Sequence, residues 1–178
     1  MTTKQVALLR GINVGRNKKV DMAGLRELMT ELGYADVSTL LNSGNVILAA
    51  GRAKPAAETI ERAVAAKYGF EVSVVLRTAK DLQKIIALNP FEQVATDWSR
   101  YFVSFLDRPL PAGSLAGLDP AAYEPELLHA TKMELYTWLP AGLIDSPLMK
   151  ALTDRKLGVT ATARNWNTVT KLLALVCA

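Results

Sequence analysis

The segment Arg10-Gly11-Ile12-Asn13-Val14-Gly15-Arg16-Asn17-Lys18-Lys19 gathers cations and glycines with no intervening acid. Glycines let a backbone come close to a ligand, and the unpaired amides of a helix N-terminus attract anions. Arg10, Arg16, Lys18 and Lys19 add charge of the same preference. The chemistry this suggests is capture of a phosphate or another anion through Arg10, Asn13, Arg16, Asn17, Lys18 and Lys19. The segment lacks the Gly-Lys-Ser/Thr ending of a P-loop and the third glycine of a dinucleotide loop. Asp21, placed to cap the following helix, would compete with a bound phosphate. A solvated basic loop is the plain alternative.

Two further polar segments stand apart in sequence. Asn42-Ser43-Gly44-Asn45 offers Ser43 and Asn45 as ligand contacts, although Asn and Gly are also what tight turns prefer. Thr162-Ala163-Arg164-Asn165-Trp166-Asn167-Thr168-Val169-Thr170-Lys171 flanks a tryptophan with Arg164, Asn165, Asn167 and Lys171. Helix capping by Asn165 or Asn167, with Trp166 in the core, is the alternative there. Other candidates are weaker. The single histidine, His129, has no Ser or Cys partner nearby, and the single cysteine, Cys177, has no activating neighbour. Glu58 and Glu61 share a helix face and read as its solvated side. No cluster suggests a metal site, and no cofactor is implied.

These segments need elements to position them. Val6–Ile12 reads as a buried strand and Asn13–Lys19 as a loop. Asp21 then caps a helix carrying Met22, Leu25, Leu28, Met29 and Leu32, which Gly33 stops. Val37–Leu41 and Val46–Ala49 read as a hairpin around Asn42–Asn45. Pro55 opens a helix through Lys67, with Ile60, Val64 and Tyr68 on one stripe and Gly69 as its stop. Val72–Leu76 is a fourth strand, and Ala79–Leu88 a trailing helix. This order, strand, helix, strand, strand, helix, strand, is the split βαβ arrangement of a ferredoxin-like fold. In that arrangement the first two strands are parallel, so residues 13–19 and 42–45 should meet at one edge of the sheet.

The second half repeats the pattern. Tyr101–Leu106 is a strand. Pro109–Tyr123, with Pro111, Gly113, Gly117 and Pro120, allows only a short or poor helix. Leu127–Ala130 and Met133–Trp138 form a hairpin around Thr131-Lys132. Pro147–Leu157 is a helix ended by Gly158, Val159–Ala163 a short strand, and Asn167–Val176 a final helix. Two echoes accompany the repeated order: residues 40–48 over 127–135, and residues 78–81 over 162–165. The expectation is an α+β chain of tandem ferredoxin-like (βαββαβ) units with antiparallel sheets packed by helices. The halves are 1–89 and 90–178, and the two could form one compact domain.

Composition sets the outer bounds. Half of the 178 residues are apolar and 21% are charged, which is globular composition. No stretch reaches the roughly 18 uncharged apolar residues of a membrane span. The N-terminus shows no signal-peptide core. With a lone cysteine, this leads to an expectation of a cytoplasmic protein without an internal disulfide. The net charge is +4, but residues 1–20 alone carry +5, leaving 16 basic and 17 acidic groups over the rest. A local positive cluster points to an anionic partner more than uniform basicity would.

The same three segments carry a family resemblance. Leu8-Leu9-Arg10-Gly11-Ile12-Asn13-Val14-Gly15, followed by Lys18 and by Met22-Ala23-Gly24-Leu25-Arg26, resembles the opening of the bacterial domain-of-unknown-function 1697 family. Ser43-Gly44-Asn45-Val46 and Arg164-Asn165-Trp166-Asn167-Thr168-Val169 resemble its other two signatures. Arg16 departs from the pattern, which often has a second glycine there. The resemblance implies a ferredoxin-like α+β fold and no activity, and it favours the three segments forming one site. The functional expectation is a binding protein for a phosphate-bearing ligand, nucleic acid or nucleotide, through a basic polar cleft. An enzyme acting on a small anionic substrate, through charge stabilisation by Asn and Arg, is one alternative. A scaffold whose polar segments fix the halves together is another.

Overall fold

The computed structural model describes residues 4–178. Eight strands form two four-stranded sheets, each wholly antiparallel between neighbours. In the first, β1 (Lys4–Leu9), β2 (Ala35–Leu40), β3 (Asn45–Ala49) and β4 (Val74–Thr78) run in the order β2-β3-β1-β4. In the second, β5 (Tyr101–Leu106), β6 (Leu127–Ala130), β7 (Glu134–Trp138) and β8 (Ala161–Asn165) run β6-β7-β5-β8. The two orders are the same, so the expected tandem of ferredoxin-like units is the observed architecture. The chain divides after Ile85, and Lys171–Ala178 group with the first unit. No helix among the described residues is long and apolar enough to cross a membrane.

In the first unit the helices form where caps and apolar stripes agree. Asp21 caps α1 (Met22–Glu31) by accepting from the Gly24 amide at 2.6 Å. Leu25, Leu28 and Met29 then fall on one buried face. α2 (Ala57–Tyr68) buries Ile60 and Val64 and ends at Gly69, whose φ of 77° permits the left-handed cap. Both helices cover the face of the sheet that presents Ala7, Leu9, Val46, Leu48 and Val74, and this makes the core. α3 (Ala79–Leu88) follows β4 directly.

The second unit departs from the pattern in its connections. The segment leading to β6 forms turns and one 3₁₀ turn, Pro120–Tyr123, capped by Asp119. Its prolines and glycines deny it a regular helix. The single helix expected over residues 147–157 is two short ones, α4 (Pro147–Ala151) and α5 (Asp154–Leu157). The break has a local cause: Leu152 leaves helical geometry, and the Thr153 hydroxyl accepts from the Lys156 amide, starting a new helix. α6 (Trp166–Cys177) closes the chain.

The repeat holds in topology, whereas the sequence echoes are out of register. Thr78 ends β4 and Asn165 ends β8, so Thr78 corresponds to Asn165 and not to Thr162. Likewise Leu40 closes β2, whereas Leu127 opens β6. Short matches of common residues cannot fix register. The hydrogen-bonded ladders do.

Candidate functional site in the first unit

The expected strand Val6–Ile12 stops at Leu9. The Leu9 amide donates to Gly44 O at 2.8 Å and the Arg10 amide to Ser73 O at 2.9 Å. The chain then turns through Gly11 (φ 69°) and Asn13 (φ 55°). Asn13 governs the loop that follows. Its main-chain amide donates to Lys18 O, its side-chain oxygen accepts from the Val20 amide at 2.9 Å, and its side-chain nitrogen donates to Val20 O and Asn42 O, both at 2.8 Å. Residues 13–19 and 42–45 therefore do meet, as the parallel relation of β1 and β2 requires. The amide that joins them is thereby committed to holding the loop.

Asn45 has the same commitment at the neighbouring turn. It is fully buried and its amide donates to Leu40 O and Ser43 Oγ, both at 2.9 Å. Gly44 needs its glycine. Its φ is 82°, and a Cβ there would sit 2.9 Å from Leu9 Cβ. Ser43 stays at the surface of the turn.

The cations arrange themselves around this frame. Arg16, Asn17, Lys18 and Lys19 are all exposed. Lys18 folds back: its Nζ donates to Glu71 O at 2.8 Å and lies 5.8 Å from the Phe70 ring centre. That reach brings the loop over the end of α2 and the start of β4. A cleft of about 640 Å³ opens there, lined by Arg10, Gly11, Lys18, Arg62, Val72 and Ser73, among others. Glu61 and Glu71 also line it. Glu61 is already engaged, since its Oε1 accepts from the Val74 amide at 2.8 Å. Gly11 leaves open space where a side chain would stand.

The cleft lies away from the N-terminus of α1. That helix end is occupied by Asp21, whose carboxylate accepts from the Gly24 amide. Asn13 and Lys19 line a separate groove with Asp21 and Asn42. Arg62, Ser73 and Gly11 were not among the expected site residues. For Ser73 the signal lay in topology, since β4 is antiparallel to β1 and its start lies beside the end of β1; Arg62, on the exposed side of α2, carried none.

The third segment belongs to the second unit, except Lys171, which falls in the first. Arg164 sits in β8 opposite Val103 and donates to Ala163 O at 2.8 Å. Burial pulls its guanidinium down to about 10. Asn165 caps α6, its Oδ1 accepting from the Thr168 amide at 3.0 Å and the Thr168 hydroxyl at 2.8 Å. Trp166 is buried and stacks on Tyr101, ring centres 4.6 Å apart. Asn167 and Lys171 are exposed.

The architecture defines the class: an α+β protein built as a tandem of ferredoxin-like units. The model of the family described as "Protein of unknown function (DUF1697)" matches residues 1–136, and the chain belongs to that family. The match takes in the first two signature segments and ends before Arg164. Among solved structures, the chain is similar to the conserved bacterial protein SP0830 from Streptococcus pneumoniae. The likeness spans 100% of both chains with a TM-score of 0.76 at 24% identity, and it concerns the fold. None of the curated proteins matches.

Proposed function

We propose that the first unit binds a phosphate-bearing ligand, a nucleotide or a nucleic-acid backbone, in the cleft between the 10–19 loop, α2 and the start of β4. The observation that carries this reading is the convergence of Arg10, Lys18 and Arg62 on one cleft. Its volume is of the size that small ligands occupy, roughly 300–1,000 Å³. The roles divide by geometry. Arg10 and Arg62 supply guanidinium forks suited to phosphate oxygens. Lys18, tethered to Glu71, contributes charge from a fixed position. Gly11 permits close approach of the backbone. Glu61 and Glu71 keep the cleft from being uniformly cationic, which disfavours a bare multivalent anion and suits a ligand with polar groups beside its phosphate.

Arg16 and Lys19 extend the positive surface outside the cleft. Asn13, Asn45 and Asn165 serve the fold and are not assigned ligand contacts. The test is a titration of the whole chain with mononucleotides, single-stranded RNA and duplex DNA at two salt concentrations. Binding that weakens with salt, and that Arg10→Ala with Arg62→Ala reduces at least tenfold, supports the reading. Absence of binding at low salt ends it.

A further inference from the structure

We infer that the charged group held by the cleft of the first unit is a phosphodiester, with one of its oxygens on the Ser73 main-chain amide. It takes the place that the Asp107 carboxylate takes in the matching corner of the second unit. The inference rests on the phosphate cleft proposed above and narrows what that cleft accepts to a group with one negative charge and two free oxygens.

The two corners match in position. Arg10 follows the last residue of β1, and Asp107 the last residue of β5. Ser73 precedes the first residue of β4, and Thr160 the first residue of β8. The Arg10 amide donates to Ser73 O at 2.9 Å, and the Asp107 amide to Thr160 O at 3.1 Å. A cation then reaches over each corner to the carbonyl two residues earlier. Lys18 Nζ donates to Glu71 O and Arg108 Nη2 to Gly158 O, both at 2.8 Å.

In the second unit the chain supplies its own anion. Asp107 Oδ1 accepts from the Thr160 amide at 2.9 Å, and Asp107 Oδ2 pairs with Arg108 Nη1 at 3.0 Å. One carboxylate thus divides its two oxygens between a main-chain amide and a cation. In the first unit the station of Asp107 is held by Arg10, whose guanidinium has only donors to offer. The Ser73 carbonyl faces Arg10, and in an extended chain the amide of a residue points to the same side as its carbonyl. Ser73 also lines the cleft with Arg10 and Lys18. An anion that completes this corner comes from the ligand.

Its charge follows from the lining. Arg10, Lys18 and Arg62 line the cleft together with Glu61 and Glu71, which leaves a single net positive charge. One negative charge balances it, whereas the second charge of a phosphomonoester would meet the two carboxylates. A phosphodiester has one charge and two non-bridging oxygens, the footprint that Asp107 shows. Asp107 is paired with one guanidinium, whereas this cleft offers two guanidiniums and an ammonium, donors enough for the larger phosphate.

Calorimetric titration of the whole chain at about pH 8 compares adenosine 5′-monophosphate, a dianion there, with its methyl ester, the same nucleotide as a monoanionic diester. The ester should bind roughly fivefold tighter, the order of one like-charge contact across solvent. Equal or weaker binding of the ester overturns the inference and leaves the phosphate cleft standing. Binding of neither probe removes both. Displacement of the ester by equimolar acetate also overturns the inference, because the corner would then be a carboxylate site. The seat on Ser73 is read separately. Arg10→Asp places in the first unit the aspartate of the second, so hydrogen exchange of the Ser73 amide should slow roughly tenfold without ligand, and ester binding should be lost. In the parent chain the Ser73 amide proton should move downfield as the ester binds, a readout that stands even if Arg10→Asp disturbs the fold. A bound ester that leaves this proton in place overturns the seat, as does a folded Arg10→Asp chain whose Ser73 amide exchanges at the parent rate.

Discussion

Arg77 and Arg164 hold the same station in the two sheets. Each is the last residue but one of its strand, and each pairs across the ladder with a valine of the central strand, Val6 and Val103. Each donates through one guanidinium nitrogen to the carbonyl of the residue before it, Leu76 O at 3.0 Å and Ala163 O at 2.8 Å. The next residue caps the following helix in both units. Thr78 and Asp81 exchange bonds at the start of α3, and Asn165 accepts from Thr168 at the start of α6. The sequence signature around Arg164 is thus one copy of a strand-to-helix junction that the fold uses twice.

This duplication predicts matched effects. Arg77→Ala and Arg164→Ala should each destabilise the chain by about 1.5–3 kcal/mol, the range for losing a hydrogen bond to a charged group. Hydrogen exchange should localise the damage, with β4 amides opening in the first variant and β8 amides in the second. Uniform loss of protection in both would contradict a junction-specific role.

The turn at residues 42–45 should be sensitive from two directions. Asn45→Ala leaves the Leu40 carbonyl without its buried donor and should cost about 1–3 kcal/mol in urea unfolding. Gly44→Ala meets Leu9 and Ile12 at 2.9 and 3.0 Å in a left-handed conformation, and should cost at least as much. If both variants unfold at the parent midpoint, the turn is not the tie that its geometry describes.

Acid should expose the α3 cap. Partial burial pushes the Asp81 carboxyl up, but hydrogen bonds from the Thr78 hydroxyl and amide, with Arg77 and Lys84 nearby, outweigh it and hold the carboxyl below its ordinary 3.8. A carboxyl lowered in the folded state stabilises the fold above its unfolded pKa. That contribution fades as pH falls through the folded value. Asp81→Asn should therefore lower thermal stability at pH 6 and make the decline below about pH 4 shallower. Parallel pH profiles for the variant and its parent would contradict the assignment.

Much of the fold was legible because local signals agreed with the global one. Asp21, Gly69 and Gly158 marked helix ends, and the succession of strands and helices along the chain followed from period and turns. The neighbourhood of Asn13 and Asn42 followed from the parallel relation of two strands. What escaped were relations that depend on where a side chain reaches. Lys18 contains no sign that it will bridge 53 residues to Glu71. Arg62 looks like any exposed helix residue, and Asn45 like any turn asparagine, until the ladder shows it is buried. The break at Leu152 turned on a Thr153 cap competing with helix continuation, a balance of about 1 kcal/mol that periodicity does not weigh.

The phosphate cleft should be visible residue by residue. Amide chemical shifts of the isotopically labelled chain, followed during titration with a mononucleotide at low salt, test it most directly. Gly11, Lys18, Arg62 and Ser73 should move together along one saturable curve, and raising the salt should shift that curve to higher ligand concentration. A titration that leaves these four amides in place, or moves only residues far from them, would contradict a ligand site in the first unit.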